Sequence, residues 1–272
     1  MKKWQSIYSK FVAMEYQDSY PSKWAIGGAL VGSVLSLIMY WFTSEAFAPA
    51  LKDHLTTETV DYFNFVFSGE LILTLPLVLI EGTIHVVRQA VASGTLETFM
   101  SLPTRTQTPL LFWTLAKLPL DAVRLLILVG LAALFFGFQL SLQKLILLLA
   151  FVFCSLPFFL SLGLLSATVL ILFGRGERAL TFAISFLTLL SGLYFPTSVL
   201  PEILQKSVAL VSPFYFVLTR ARGILYSESP PNFVEWAMLF AFGLVLLAIS
   251  LKILGSAFKK VRTQGRNFLL RY

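Results

Sequence analysis

Charged side chains are scarce in this sequence, so the few that fall inside apolar runs mark where chemistry or ion binding would occur. Glu70 sits in "YFNFVFSGELILTLPLVLI" with no cation near it in sequence. Lys117, Asp121 and Arg124 recur at i, i+4 and i+7, which puts them on one stripe of a helix. Asp121 has a cation to pair with on either side. Charges at membrane depth are costly and face protein, a water-filled path or each other, so this stripe reads as either an ion-paired brace or the lining of a cavity. His54 and His85 fall on opposite sides of one apolar run and cannot share a metal. The sequence has no G-x-x-x-x-G-K-[ST] loop, G-x-S-x-G elbow, H-E-x-x-H pair or paired intramembrane aspartates. The residues therefore predict no catalytic site, no metal site and no cofactor bound by this chain.

The most unusual polar stretch is "ASGTLETFMSLP", residues 92–103, between two oily runs. Gly94 breaks the preceding helix, Thr95 is a good N-cap, and Glu97 in the first turn suits the positive end of a helix. Leu96, Phe99 and Met100 form an apolar face, and Pro103 is a stop signal. The pattern predicts a short, rigid helix that shows one charge and two large apolar side chains. A plain connecting loop has no need of it, whereas a membrane protein that receives force from a soluble partner does.

The elements that position these residues are set by hydropathy. The chain is 57% hydrophobic and 13% charged, about half the charge of a soluble domain, where roughly 25% is usual. Mean hydropathy is +0.80. A crossing needs about 20 mostly apolar residues. Six runs qualify, at 24–42, 62–84, 109–138, 145–173, 179–196 and 233–254. All are expected to be helices, because an unpaired backbone cannot cross lipid. Trp24 and Trp41 bracket the first, and Gly28, Gly32 and Ser36 form a small-residue stripe along it. Ahead of it, Trp4, Ile7, Tyr8, Phe11 and Val12 line one face of an amphipathic helix suited to the membrane surface. The interval 197–232 is too apolar for a free loop and reads as two short helices broken at Pro213, dipping into the outer leaflet or capping the bundle.

With the N-terminus inside, 16 of the 21 Lys and Arg residues fall on the cytoplasmic side, the bias expected of a membrane protein. The net charge of +7 is thereby accounted for without nucleic acid. The lone cysteine, Cys154, lies in an apolar run and is expected to be a small buried hydrophobe. No cleavable leader is expected, since the first long apolar run begins only at Trp24. The expected organisation is one transmembrane domain over 1–272: an interfacial helix at 1–23, a six-helix bundle at 24–254 and a basic cytoplasmic tail at 255–272.

Two segments carry a family resemblance. "SGTLETFMSLP" is similar to the G-T-[LM]-E-x-[LF]-x-x-[ST]-P segment of permease subunits of type-2 ABC exporters. "YFPTSVLPEILQKSVALVSPFYFVLTRARGIL" resembles the same family's segment after the fifth span. The resemblance implies an all-α fold of six spans, with an N-terminal elbow helix, a cytoplasmic coupling helix and extracytoplasmic re-entrant helices. It implies two permeases, a second copy or a paralogue, paired in a bacterial plasma membrane with both termini cytoplasmic. It also implies a separate ATP-binding cassette subunit, which holds ATP and Mg and docks at Gly94, Thr95, Leu96, Glu97, Phe99 and Pro103. The region of Pro196, Pro201 and Pro213 matches the segment closing the path, with Glu70 and Asp121 as path or gate residues. The stretch before the coupling helix, "EGTIHVVRQAVAS", departs from the family pattern and leaves open which of Glu81, Arg88 and Gln89 meets the partner. The alternative reading is a secondary transporter or channel that uses Glu70 and the Lys117, Asp121 and Arg124 stripe.

Overall fold

The computed structural model describes residues 2–51, 61–95, 107–138, 141–173, 176–226 and 232–264. The helices are α1 (Lys2–Ser19), α2 (Lys23–Leu51), α3 (Tyr62–Ala92), α4 (Gln107–Phe135), α5 (Leu142–Phe173), α6 (Glu177–Leu190), α7 (Glu202–Val211), α8 (Pro213–Tyr226) and α9 (Phe233–Gln264), with a 3-10 turn at Thr197–Val199. Among the described residues the chain is helical, without strands. Five helices are long and apolar enough to cross a membrane: α2, α3, α4, α5 and α9. The count rises to six if the bent pair α7–α8, which turns by 91°, is taken as one crossing.

Helix α3 is the axis of the bundle. In its most apolar window 72% of the residues are buried, against 11% in α2 and in α4, so the others wrap it and turn their own apolar faces outward. Its core side chains include Ile72, Leu73, Leu79 and Ile80, at most 1% exposed. Helix α5 lies closest to it. A Cβ on Gly163 of α5 would stand 2.8 Å from the Leu79 carbonyl and 2.9 Å from Thr83 Oγ1. Only a residue without a side chain lets the two backbones approach so closely, the arrangement membrane helices use in place of a hydrophobic driving force. Helix α9 packs parallel to α5, as the ring pairs Phe151–Trp236 at 5.4 Å and Phe158–Phe242 at 5.9 Å show by rising together along both helices.

The ends of the bundle follow from these contacts. At the Tyr62 end, Phe63 stacks on Phe136 at 5.2 Å and Phe67 meets Phe138 edge-on at 4.8 Å, which brings the end of α4 to the start of α3. At the opposite end, Arg88 pairs with Glu177 at 3.3 Å, and Gln107 donates to the Leu251 carbonyl. The start of α6 therefore meets the finish of α3, and α9 meets the start of α4.

The span expected at 179–196 is not one continuous helix. Helix α6 has 14 residues, about 21 Å of helix, where a hydrocarbon core is roughly 30 Å thick. It stops at Leu190 because Gly192 takes φ 91° and the carbonyls beyond are claimed by other segments. The chain still travels the length of the bundle here. Glu177 is tied to Arg88 at one end and Gly192 and Leu193 lie beside Phe65 at the other. Short helix plus non-helical tail does the work that one long helix was expected to do.

Among the described residues, nothing lies within 4 Å of a Cβ built on Gly28 or Gly32, and Ser36 Oγ donates to the Gly32 carbonyl at 2.9 Å. The amphipathic face of α1 does find a partner. Phe11 stacks on Phe112 at 5.9 Å, and Tyr8 donates to the Leu115 carbonyl at 3.0 Å. Burial against α4 pushes the Tyr8 phenol up from its usual range.

Candidate functional site

Two polar assemblies interrupt this apolar bundle, one at the Tyr62 end and one along the flank of α3 and α4.

The first is organised by Arg222 of α8. Its guanidinium donates from Nη1 to the Gly192 carbonyl at 2.6 Å, and from Nη2 to the carbonyls of Phe65 and Leu193, both at 3.1 Å. Nε reaches Ser68 Oγ at 3.5 Å. The plane lies over the Phe65 ring with its carbon 3.7 Å from the ring centroid. No carboxylate is within ion-pair distance among the described residues. The charge is instead balanced by carbonyl dipoles and by the negative end of α6, where the unpaired carbonyls of a helix collect. Planar geometry and five donors allow one arginine to bind three separate chain segments; a lysine presents a single point charge. Gly69 makes room for it, since a Cβ there would stand 2.7 Å from Nη2.

Neighbouring bonds tighten the same junction. Tyr62 donates to the Tyr194 carbonyl at 2.6 Å, Tyr226 to the Asn64 carbonyl at 2.8 Å, and Lys144 caps the end of α8 by donating to the Leu225 carbonyl at 2.6 Å. The hydroxyls of Ser191 and Ser212 meet at 2.5 Å. Each predicted proline opens a helical element: Pro196 precedes the 3-10 turn, Pro201 caps α7 and Pro213 is the first residue of α8. Proline suits that position because its missing N–H would be unpaired there in any case. The chain thus forms two short helices broken at Pro213, as the sequence predicts.

The second assembly is a column of charge. Glu70 is partly buried, with the Tyr40 phenol of α2 and the Arg124 guanidinium near enough to act on it electrostatically. Asp121 lies between Arg124 and Lys117 in charge terms, but neither is within 4 Å of it. The expected pairing of Asp121 with Lys117 or Arg124 does not form. Lys117 turns to Glu15 of α1 at 3.5 Å, and Trp113 Nε1 donates to the same carboxylate at 2.9 Å. Glu15 is only 7% exposed. An interhelix partner wins over a neighbour on the same helix because Glu15 is otherwise a buried carboxylate without a counter-charge. At the far end of α3, Glu81, His85, Arg88 and Gln89 are exposed, and Arg88 takes Glu177.

Two members of these assemblies are missing from the sequence-derived site. Arg222 counts there only as one of the few basic residues on the outer side. Glu15 ends a run that looks polar, although it lies four residues after Phe11 and seven after Tyr8 and so continues their stripe. That periodicity was the available signal.

Of the predicted coupling segment, Gly94 and Thr95 are described. Gly94 adopts φ 70° and closes α3, with its N–H on the Val91 carbonyl at 3.1 Å. The Thr95 hydroxyl reaches back, bonding Ser93 Oγ at 2.9 Å and the Ala90 carbonyl at 3.4 Å. Leu96, Glu97, Phe99 and Pro103 lie outside the described residues, as does His54. No group of three or more His, Cys, Asp or Glu side chains that would hold a metal occurs among the described residues.

A search of curated proteins finds no match to the chain. The family model for the ABC-2 type transporter matches residues 51–226. That interval holds the axial helix, the Glu70, Lys117, Asp121 and Arg124 part of the polar column and the Arg222 junction, and it covers well over half of the 272 residues. The chain belongs to the ABC-2 type transporter family, as a membrane-embedded permease.

Proposed function

We propose that this chain is the membrane-spanning subunit of an ATP-driven exporter, one of two permeases paired around a translocation path in a bacterial plasma membrane. ATP and Mg are held by a separate ATP-binding cassette subunit, so this chain performs no hydrolysis. The partner docks at Gly94, Thr95, Leu96, Glu97, Phe99 and Pro103, and its closure is passed to the bundle as force. The termini and the 94–103 segment lie in the cytoplasm, by the bias of Lys and Arg. The Tyr62 end is then the outer face. Helix α1 lies along the inner interface as an elbow, the basic segment that begins at 255 continues α9 on the inner side, and α7 and α8 act as a re-entrant pair that closes the path. The cargo is an amphiphile, such as a lipid, a glycolipid or lipid-linked polysaccharide, or a drug. The flanks of α2 and α4 are apolar and outward-facing, a surface along which such a molecule slides more readily than a hydrophilic ion.

The observation that carries this reading is the continuity of α3. It is a single 31-residue helix, about 46 Å long. One end adjoins Gly94 and the other holds Phe65 and Ser68 against Arg222. A tightly packed core transmits displacement with little compression. A push on the segment after Gly94 therefore arrives at the Arg222 junction as movement of Phe65 relative to Gly192 and Leu193. Glu70 on the moving helix and Asp121 on the neighbouring α4 serve as path residues, while Pro196, Pro201 and Pro213 set the bends of the closing pair.

Co-purification with a candidate ATP-binding subunit tests this directly. Glu97→Lys reverses the charge in the segment proposed to dock and is expected to weaken retention of the partner about tenfold or more and to remove stimulation of its ATPase. Unchanged retention and unchanged stimulation would overturn the docking assignment.

A further inference from the structure

A cavity of about 330 Å³ opens between α1, α2 and α4, apart from the Arg222 junction and with Arg124 of the charged column in its wall. Taking each methylene as roughly the ~30 Å³ share of a water molecule, this holds on the order of a dozen carbons. Its walls are apolar: Ile26 and Leu30 from α2 face Val123 and Ile127 from α4. These wall residues are themselves exposed, Leu30 at 42% and Val123 at 57%, so the space opens sideways to whatever surrounds the bundle. Ser33 also lines it, but its hydroxyl is committed to the Ala29 carbonyl of its own helix at 2.9 Å. The remaining polar lining is Arg124 and two phenols, Tyr16 and Tyr20, from the end of α1. Arg124 is exposed, and no carboxylate is within 4 Å of it among the described residues; Asp121 and Glu70 act on it only at longer range.

We infer that this cavity holds one acyl chain of an anionic membrane phospholipid whose phosphate sits on Arg124. An apolar slot open to the side fits a lipid tail. Tyrosines at its rim match the level where amphipathic rings meet headgroups. A cation at membrane depth without a close counter-charge calls for an anion, and a guanidinium binds phosphate through paired N–H donors. A helix side chain leans toward its own N-terminus, which carries the Arg124 head toward α1 and the rim. The bound lipid is a resident component that packs α1 and α2 onto α4, and its binding needs neither ATP nor the partner subunit.

The test is native mass spectrometry of the full-length chain released from vesicles of equimolar phosphatidylglycerol and phosphatidylcholine. The wild type is expected to retain phosphatidylglycerol about fivefold over phosphatidylcholine, the preference one basic residue supplies near a lipid surface. Arg124→Gln keeps bound lipid but loses the preference, and Arg124→Lys restores most of it. Ala29→Phe, which fills the slot from α2, loses both lipids. The inference fails if the wild type shows no preference, or if the preference survives Arg124→Gln. It fails equally if Ala29→Phe changes the oligomeric state while lipid retention stays the same, since the slot would then be a contact between copies of the chain. None of these outcomes bears on Glu97, so this failure is distinguishable from failure of the coupling assignment.

Discussion

Replacing Arg222 by methionine is expected to lower the stability of the folded chain by about 3 kcal/mol. The substitution keeps an unbranched apolar stem and removes every donor. The carbonyls of Gly192 and Leu193 lose their arginine partner together, and that of Phe65 keeps only Ser68 Oγ at 2.8 Å among its side-chain donors. Hydrogen bonds to a charged group contribute roughly 1.5–3 kcal/mol each, and a carbonyl left buried and unpaired costs about 1–3. The sum is reduced here because Arg222 is only partly buried and water can replace some of what is lost. Arg222→Lys should recover less than half, since one ammonium cannot serve three segments at once. Denaturant titration in detergent micelles, followed by circular dichroism, measures the difference. A change below about 0.5 kcal/mol, the usual range for surface positions, would show that the junction is held without this residue.

The second large effect is expected at Gly163. A leucine there must place its Cβ within 3.1 Å of the Ile80 Cα and closer still to the Leu79 carbonyl. These obstacles are main-chain atoms of a buried helix, so no rotamer change relieves them, and α3 and α5 must separate. Overpacking usually costs 1–3 kcal/mol, and separation of two core helices puts this case at about 3 kcal/mol or more. Gly163→Leu should therefore yield little monodisperse protein on size-exclusion chromatography. Gly130→Leu is the control: nothing lies within 4 Å of its Cβ position, and a normal profile is expected. Equal yields from the two variants would refute the close α3–α5 contact.

Much of the bundle was legible because hydropathy reports length and apolarity, and these decide what crosses a bilayer. Five of the six expected spans are long apolar helices, and the break at Pro213 follows from backbone sterics. The fifth span misled for an equally physical reason. The residues of 179–196 are apolar enough to cross, but where the helix stops depends on who receives the carbonyls of Gly192, Leu193 and Tyr194. The recipients, Arg222 and Tyr62, are remote in sequence. Nothing local to Ser191 announces them. The same limit hid the partner of Lys117. Periodicity placed Lys117 beside Asp121, and the fold offered Glu15 across a helix boundary. Glu70 was legible as a carboxylate inside an apolar run, whereas the groups that face it, Tyr40 and Arg124, lie on other helices. The segment after Thr95 rests on its sequence pattern and family resemblance, and its test is functional.

The central claim is that force applied after Gly94 reaches the Arg222 junction through α3. Cys154 is the single cysteine, so Cys154→Ser gives a silent background for a reporter thiol at Tyr194→Cys, beside the Tyr62 bond. In the reconstituted complex with its ATP-binding subunit, maleimide labelling of that thiol should rise several-fold during ATP turnover, and the rise should vanish when Glu97→Lys is added. Labelling that is the same with and without ATP, or that rises just as much with the reversed charge, would contradict the account.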